Sequence, residues 1–323
     1  MTRTHLIIIA IAAAGTFLAG SAFIHGQKPS IKDQGHGDPL NPKNLPIGDG
    51  KLSDKPAKGY LMPCESRFGG GRGAFRDGAW IHSDGTWDAT SKPIVSGDVK
   101  WDNYRYSITV EGDKRKLNGN GLPDHSTGTF PIPQTDDAFN YDRNPNSIRQ
   151  TEIVFTLPLV PAVAVNPSCV PMGMIGVMRS GVAIFNAVDE MGRDAVAHEI
   201  QDKCDGHPQR EGQYHYHSLS RCLEADHKGQ HSELFGYALD GFGIYGRYGE
   251  DGKELTDADL DECHGHTHEI MWDGKLVVMY HYHATREYPY SIGCFRGTPV
   301  MARRPRPTGP GMFPPMFPFI GAF

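Results

Sequence analysis

The tetrapeptide Tyr-His-Tyr-His occurs twice in this chain, at 214–217 and at 280–283, and its surroundings repeat with it. Upstream of the first copy stands Asp202-Lys203-Cys204-Asp205-Gly206-His207; upstream of the second stands Asp261-Glu262-Cys263-His264-Gly265-His266. Both read Asp-x-Cys-x-Gly-His. Further back, Gly-Val-Ala-Ile-Phe-Asn at 181–186 lines up with Gly-Phe-Gly-Ile-Tyr-Gly at 241–246. Two copies are too few for a stacked solenoid, which needs at least about three units. The expectation is one internally duplicated domain with pseudo-two-fold halves, its repeats at about 177–222 and 237–294.

Alternating Tyr and His favours a β-strand, and on a strand alternate side chains share a face. His215 and His217 therefore point one way with Tyr214 and Tyr216 behind them, and His281 and His283 do likewise. Two imidazoles at this spacing on a rigid strand chelate a metal without backbone strain. If the two strands pair or face one another, four imidazoles meet. Eleven of the sixteen histidines lie between His198 and His283. Neutral imidazole suits zinc, copper, iron or nickel; a tetragonal all-nitrogen set favours Cu(II), and three histidines with an open position favour zinc. The predicted metal ligands are His215, His217, His281 and His283, with His207 and His266 added from the Gly-His turns. Asp202, Asp205, Asp261 or the tyrosine hydroxyls are expected to accept imidazole N–H groups. The competing reading is a metal-free aromatic interior; the occurrence of the whole pattern twice favours metal.

The remaining motifs are weaker. Asp257, Asp259 and Asp261 suggest a calcium loop, but Glu262 stands where an EF-hand needs Gly and His268 occupies its last position. The His264-x-His266-x-His268 row reads as a solvated turn, and Met172, Met174 and Met178 as core. His125, in a Gly-Leu-Pro-Asp-His turn, could reach the site.

Residues 1–22 read as a signal peptide: a basic start, an apolar run over 6–18 and small residues before the cleavage point. That run is too short to span a bilayer, and no long apolar stretch follows, so no stable membrane span is expected after signal removal. Residues 23–79 read as a flexible Pro/Gly-rich linker and 299–323 as a Pro-rich disordered tail. The net charge of −6 argues against a nucleic-acid partner, which would want a basic stripe. Export to the periplasm or the extracellular space makes disulfides the natural state of the six cysteines. Cys204 and Cys222 bracket the first Tyr-His-Tyr-His, and Cys263 and Cys294 the second, which leaves Cys64 and Cys169 for each other. Thiolate ligation by Cys204 and Cys263 is the alternative.

Between these ends, residues 80–298 carry short β-like runs with abundant Gly and Pro. The alternation over 101–110 predicts a strand, with Gly112-Asp113 able to turn the chain. Two further apolar runs, 174–178 and 181–185, look like paired short strands. Short helices are predicted near 194–203 and over 257–262, the latter with Thr256 as N-cap. The predicted fold is mainly β (all-β or α+β with few short helices), arranged as a sandwich or barrel-like domain.

Taken together, the chain resembles the YHYH-domain family of exported proteins. The resemblance rests on Gly-Leu-Pro-Asp-His at 121–125, Asn-Pro-Asn at 144–146, both Tyr-His-Tyr-His segments with their Gly-His turns, the 237–246 block, Tyr-Pro-Tyr at 288–290 and Gly-Cys-Phe at 293–295. The chain departs from the family pattern at Ala183 and Gly243, where Pro is expected, and at His264, where Asn is expected. The resemblance implies export and brings no activity with it. The functional expectation is therefore a secreted or periplasmic transition-metal-binding protein, copper first and zinc second. The alternatives are a metalloenzyme of copper oxidase or zinc hydrolase type, with Asp205 or Glu269 as general base, and a metal-free structural or surface-interaction module.

Overall fold

The structure is a computed structural model that describes residues 40–65, 67–68, 74–223 and 229–301. It is mainly β. A two-stranded sheet pairs β1 (Leu45–Pro46) with β2 (Thr86–Trp87). A three-stranded antiparallel sheet has the order β3 (Tyr106–Glu111), β4 (Lys114–Gly119), β5 (Ile153–Pro158). Gly112 and Asp113 form the two-residue turn between β3 and β4, and Gly112 adopts a φ of 59° that suits glycine. Pro158 ends β5 on the sheet's edge, a position that tolerates a residue without N–H.

The main sheet has eight strands. These are β6 (Met174–Met178), β7 (Ala183–Phe185), β8 (Gly206–Pro208), β9 (Tyr214–Tyr216), β10 (Leu234–Ala238), β11 (Gly243–Tyr245), β12 (Gly265–Trp272) and β13 (Lys275–His283). Their order is β12-β13-β11-β10-β6-β7-β9-β8. At the centre β10 and β6 run antiparallel, with Ala238 opposite Gly176 and Gly236 opposite Met178. Outward from there each side repeats one sequence of pairings: antiparallel (β6–β7, β10–β11), parallel (β7–β9, β11–β13), then antiparallel (β8–β9, β12–β13).

Leu117, Ile153, Phe155 and Leu157 of the small sheet are buried in one cluster with Val177, Ile184, Ala238 and Ile244 of the large one. Arg115 of β4 lies over the Tyr237 and Trp272 rings at 4.4 and 5.0 Å. Helix is confined to short pieces. The single turn α1 (Ala195–His198) is capped by Asp194, whose carboxylate accepts from the N–H groups of Val196 and Ala197. A 3-10 turn over Asp257–Asp259 follows Thr256 in a capping box.

The flexible linker expected over 23–79 is corrected where residues are described. Leu45 and Leu61 are buried, and Leu45 joins Trp80, Trp87, Ala197 and Ile200 in a second, smaller core. The Gly48 N–H donates to Asp194. Single apolar residues that each fill one socket leave no periodicity to read, so this arm looked like a linker. The signal peptide, the start of the linker and most of the tail (302–323) lie outside the described residues; Val300 still donates to the Leu239 carbonyl.

Three disulfides form: Cys64–Cys169, Cys204–Cys222 and Cys263–Cys294. Cys204 and Cys263 are thereby unavailable as thiolate ligands. Among the described residues, no helix is long and apolar enough to cross a membrane.

Candidate metal centres

The two Asp-x-Cys-x-Gly-His segments build the same turn. Asp202 Oδ1 accepts from the N–H groups of Cys204 and Gly206 and from the Tyr214 hydroxyl. Asp261 Oδ1 accepts from Cys263, Gly265 and the Tyr280 hydroxyl. At the apex Asp205 and His264 take positive φ values of 61° and 75°. Each turn delivers its Gly-His directly onto the strand beside the Tyr-His-Tyr-His, so that His207 stands opposite His215 and His266 opposite His281. Residues opposite one another in an antiparallel pair share a face, which gathers three histidines on each side.

These turns also correct a sequence expectation. The carboxylates of Asp202 and Asp261 hold turn N–H groups and tyrosine hydroxyls, and no imidazole. Asp205 is tied to Arg221 at 2.6 Å, and strand alternation turns Glu269 away from His266 and His268, so neither offered general base faces a cluster. The tyrosines likewise point away. Tyr216 OH meets His125 Nε2 at 2.5 Å, and Tyr282 OH donates to Asp240 at 2.6 Å.

The two Tyr-His-Tyr-His strands do not meet. Four strands separate β9 from β13, about 24 Å along the sheet at ordinary strand spacing. The histidines therefore form two clusters. The first is His207, His215 and His217, all buried. The second is His231, His266, His268, His281 and His283, in which His281 and His283 are buried and the other three half-buried. Within each cluster the offered ligand atoms lie within 4.8 Å of one another.

The local hydrogen bonds settle which nitrogen faces inward. His215 Nδ1 lies 3.1 Å from the Gln213 carbonyl, and His217 Nδ1 lies 2.5 Å from the Asn186 carbonyl. A carbonyl only accepts, so both Nδ1 atoms carry the hydrogen and both Nε2 atoms are bare. Those two Nε2 atoms stand 3.1 Å apart. The second cluster repeats the arrangement: His281 Nδ1 to the Met279 carbonyl at 3.1 Å, His283 Nδ1 to the Gly246 carbonyl at 2.5 Å, and the two Nε2 atoms 3.1 Å apart. His231 and His268 also spend Nδ1 on carbonyls, of Ser232 and Glu269, each at 2.8 Å.

Burial favours the neutral form of six of the clustered rings. Burial, reinforced by His215 and His217, holds His207 well below the ordinary imidazole range. His215 and His283 are likewise pushed well down, burial first and neighbouring imidazoles second. Burial lowers His217 and His266 to about 4 and His281 to about 2. Neutral imidazole is the ligating form.

Three further residues join the clusters that sequence reasoning did not select as ligands. Glu199, just beyond α1, places Oε2 3.4 Å from Nε2 of both His207 and His217. Burial, with Asp142 and Asp189 nearby, raises its carboxyl well above the usual range. Glu199 Oε2 and both His207 ring nitrogens are buried without a hydrogen-bond partner among the described residues. His231, immediately before β10, brings Nε2 to 3.4 Å from His281 Nε2. His268 sits on β12 beside His266, so the His264–His268 row is a strand and not a solvated turn; its own alternation was the available signal. Nothing in the local sequence singles out Glu199 or His231.

A mainly β fold stapled by disulfides and presenting two histidine clusters is thus the class of protein in hand. Residues 154–258 match the family model described as "YHYH protein". Neither the curated proteins nor the solved structures contain a match to the chain.

Proposed function

We propose that this is an exported transition-metal-binding protein that holds one ion at each histidine cluster, copper first and zinc second. One observation carries the reading. In each Tyr-His-Tyr-His, backbone carbonyls fix the hydrogen on both Nδ1 atoms, so two bare Nε2 lone pairs converge at 3.1 Å. Bare lone pairs at that distance repel and cannot hydrogen-bond to each other. A proton shared between them would place a cation where burial has driven the imidazole pKa far down. A metal ion satisfies both lone pairs at once. At Zn–N or Cu–N lengths of about 2.0–2.1 Å, adjacent ligand nitrogens stand about 2.9–3.4 Å apart. Three disulfides fit an oxidising compartment outside the cytosol.

A cavity of about 720 Å³ is lined by Lys92, Arg221, Arg247 and Arg286 among others, but by none of the clustered histidines. Substrate room beside an open coordination position, which a metalloenzyme needs, is therefore not where this cavity lies.

The test is elemental analysis of the purified mature protein beside H215A/H217A, H281A/H283A and the fourfold variant. The expected result is close to two bound ions of copper or zinc, one lost with each pair and both lost in the fourfold variant. Native circular dichroism with no metal bound after purification, and none taken up from added copper or zinc, would sink the reading and leave the histidines as structural.

A further inference from the structure

The clusters are alike in the paired histidines and unlike in everything around them. The first has three imidazoles and one carboxylate. Its histidines are 3–5 % exposed, and the Glu199 side chain is 15 % exposed. Its measured edges are 3.1 Å (His215–His217) and 3.4 Å (Glu199 to His207 and to His217). A tetrahedral ion with bonds of about 2.05 Å has edges of about 3.3 Å, so these four atoms suit one closed tetrahedral site. The second cluster has five imidazoles and no carboxylate of that kind. His231, His266 and His268 are half-buried, and Glu250, with its side chain 53 % exposed, reaches His268 Nε2 at 3.3 Å from the solvent side. Five nitrogens within 4.8 Å fit a tetragonal ion, whose cis and trans donors stand about 2.9 and 4.1 Å apart.

Charge points the same way. A divalent ion in a closed pocket is costly unless an anion is buried with it. Glu199 places a carboxyl oxygen inside that pocket, 3.4 Å from two of its imidazoles. The second cluster has no buried carboxylate of its own, so a divalent charge there depends on solvent and on Glu250.

We infer that the two clusters, as metal sites of the kind proposed above, are not equivalent: the His207/His215/His217/Glu199 pocket retains a zinc-type tetrahedral ion, while the five-imidazole cluster takes Cu(II) and exchanges it with solvent. The first ion then serves the fold, and the second is the cargo or the reactive ion.

The experiment loads metal-stripped protein with equimolar Cu(II) and Zn(II), removes the excess, and follows each metal's release into EDTA together with the Cu(II) paramagnetic resonance spectrum. Wild type is expected to hold one copper and one zinc, copper leaving at least about tenfold faster. E199Q, close to isosteric, is expected to speed zinc release by at least about tenfold and leave copper unchanged. H231A/H268A is expected to lose copper, its nitrogen-split resonance included, and to keep zinc. Equal release rates, the same metal in both sites, or an E199Q protein that still retains zinc overturns the inference while metal binding itself stands. No uptake of either metal by natively folded protein overturns both.

Discussion

Asp257 has its Oδ1 3.3 Å from His264 Nδ1, and its N–H donates to Glu287 Oε2 at 2.7 Å. Burial first, and Glu287 second, push its carboxyl up to about 8; His264 offers no compensating charge, because burial holds that imidazole down at about 3. The unfolded chain loses this proton near the ordinary carboxylate value of 3.8 while the folded chain keeps it to about 8. Its contribution is thus complete at low pH and is lost as pH rises across that window, at up to about 1.4 kcal/mol per pH unit. D257N is expected to lack that slope, so wild type and variant should diverge in urea midpoint between pH 5 and pH 7; parallel curves would refute the assignment. Tyr282 is a second such residue: its buried hydroxyl donates to Asp240 and accepts from the Arg296 N–H at 2.7 Å. Y282F should cost about 1–3 kcal/mol in chemical denaturation, because Asp240 and Arg296 both lose a partner. At this scale the paired histidines were legible, since alternation on a strand dictates a shared face. Glu199 and His231 were not, because they reach their clusters from outside the repeated pattern and only the folded chain brings them near.

The β12–β13 hairpin is the element that carries the second cluster, since His266, His268, His281 and His283 all lie on it. Its turn, Asp273-Gly274, has φ values of 48° and 77°, the both-positive geometry that two-residue hairpins favour. A Cβ on Gly274 would meet nothing within 4 Å, so alanine there would be strained through the backbone alone. G274A is expected to destabilise by about 1 kcal/mol and to weaken metal binding at the second cluster while sparing the first. Equal loss at both clusters would mean that the hairpin is not the element that sets them apart. Short strands such as β6 and β7 and the turn at Gly112 were readable from alternation and turn residues. The strand order was not, because parallel pairing of β7 with β9 and of β11 with β13 joins segments separated by whole turns. The reciprocal β6–β10 register and the two like-built Asp-x-Cys-x-Gly-His turns give the two halves of the sheet the same local construction. Four imidazoles meeting would have required β9 beside β13; the sheet instead puts β6 and β10 at its centre and the histidines toward its two ends.

Across the whole molecule, the arm over 40–65 is held to the β domain at several points. Leu61 is fully buried, Met62 donates to the Gly293 carbonyl at 2.8 Å, Cys64 donates to the Val170 carbonyl at 2.9 Å, and Cys64 is bonded to Cys169. That disulfide spans 105 residues, against 18 for Cys204–Cys222 and 31 for Cys263–Cys294. Chain-entropy arguments assign about 4.7 kcal/mol to a loop near the longest of these and about 3 kcal/mol to one near the shortest. C64A/C169A should therefore lower unfolding free energy by more than C204A/C222A. The order of effects on the site should be the opposite. Cys204 belongs to the turn that delivers His207, whereas Cys64 and Cys169 lie outside both clusters. C204A/C222A should weaken metal retention at the first cluster with the smaller stability loss, and C64A/C169A should leave retention intact with the larger one. Urea unfolding and metal-release rates measured on the same two variants check both halves. If C64A/C169A proved the milder change, the disulfide would be adding little to the fold, and Leu61 with the Met62 and Cys64 backbone bonds would hold the arm in place without it.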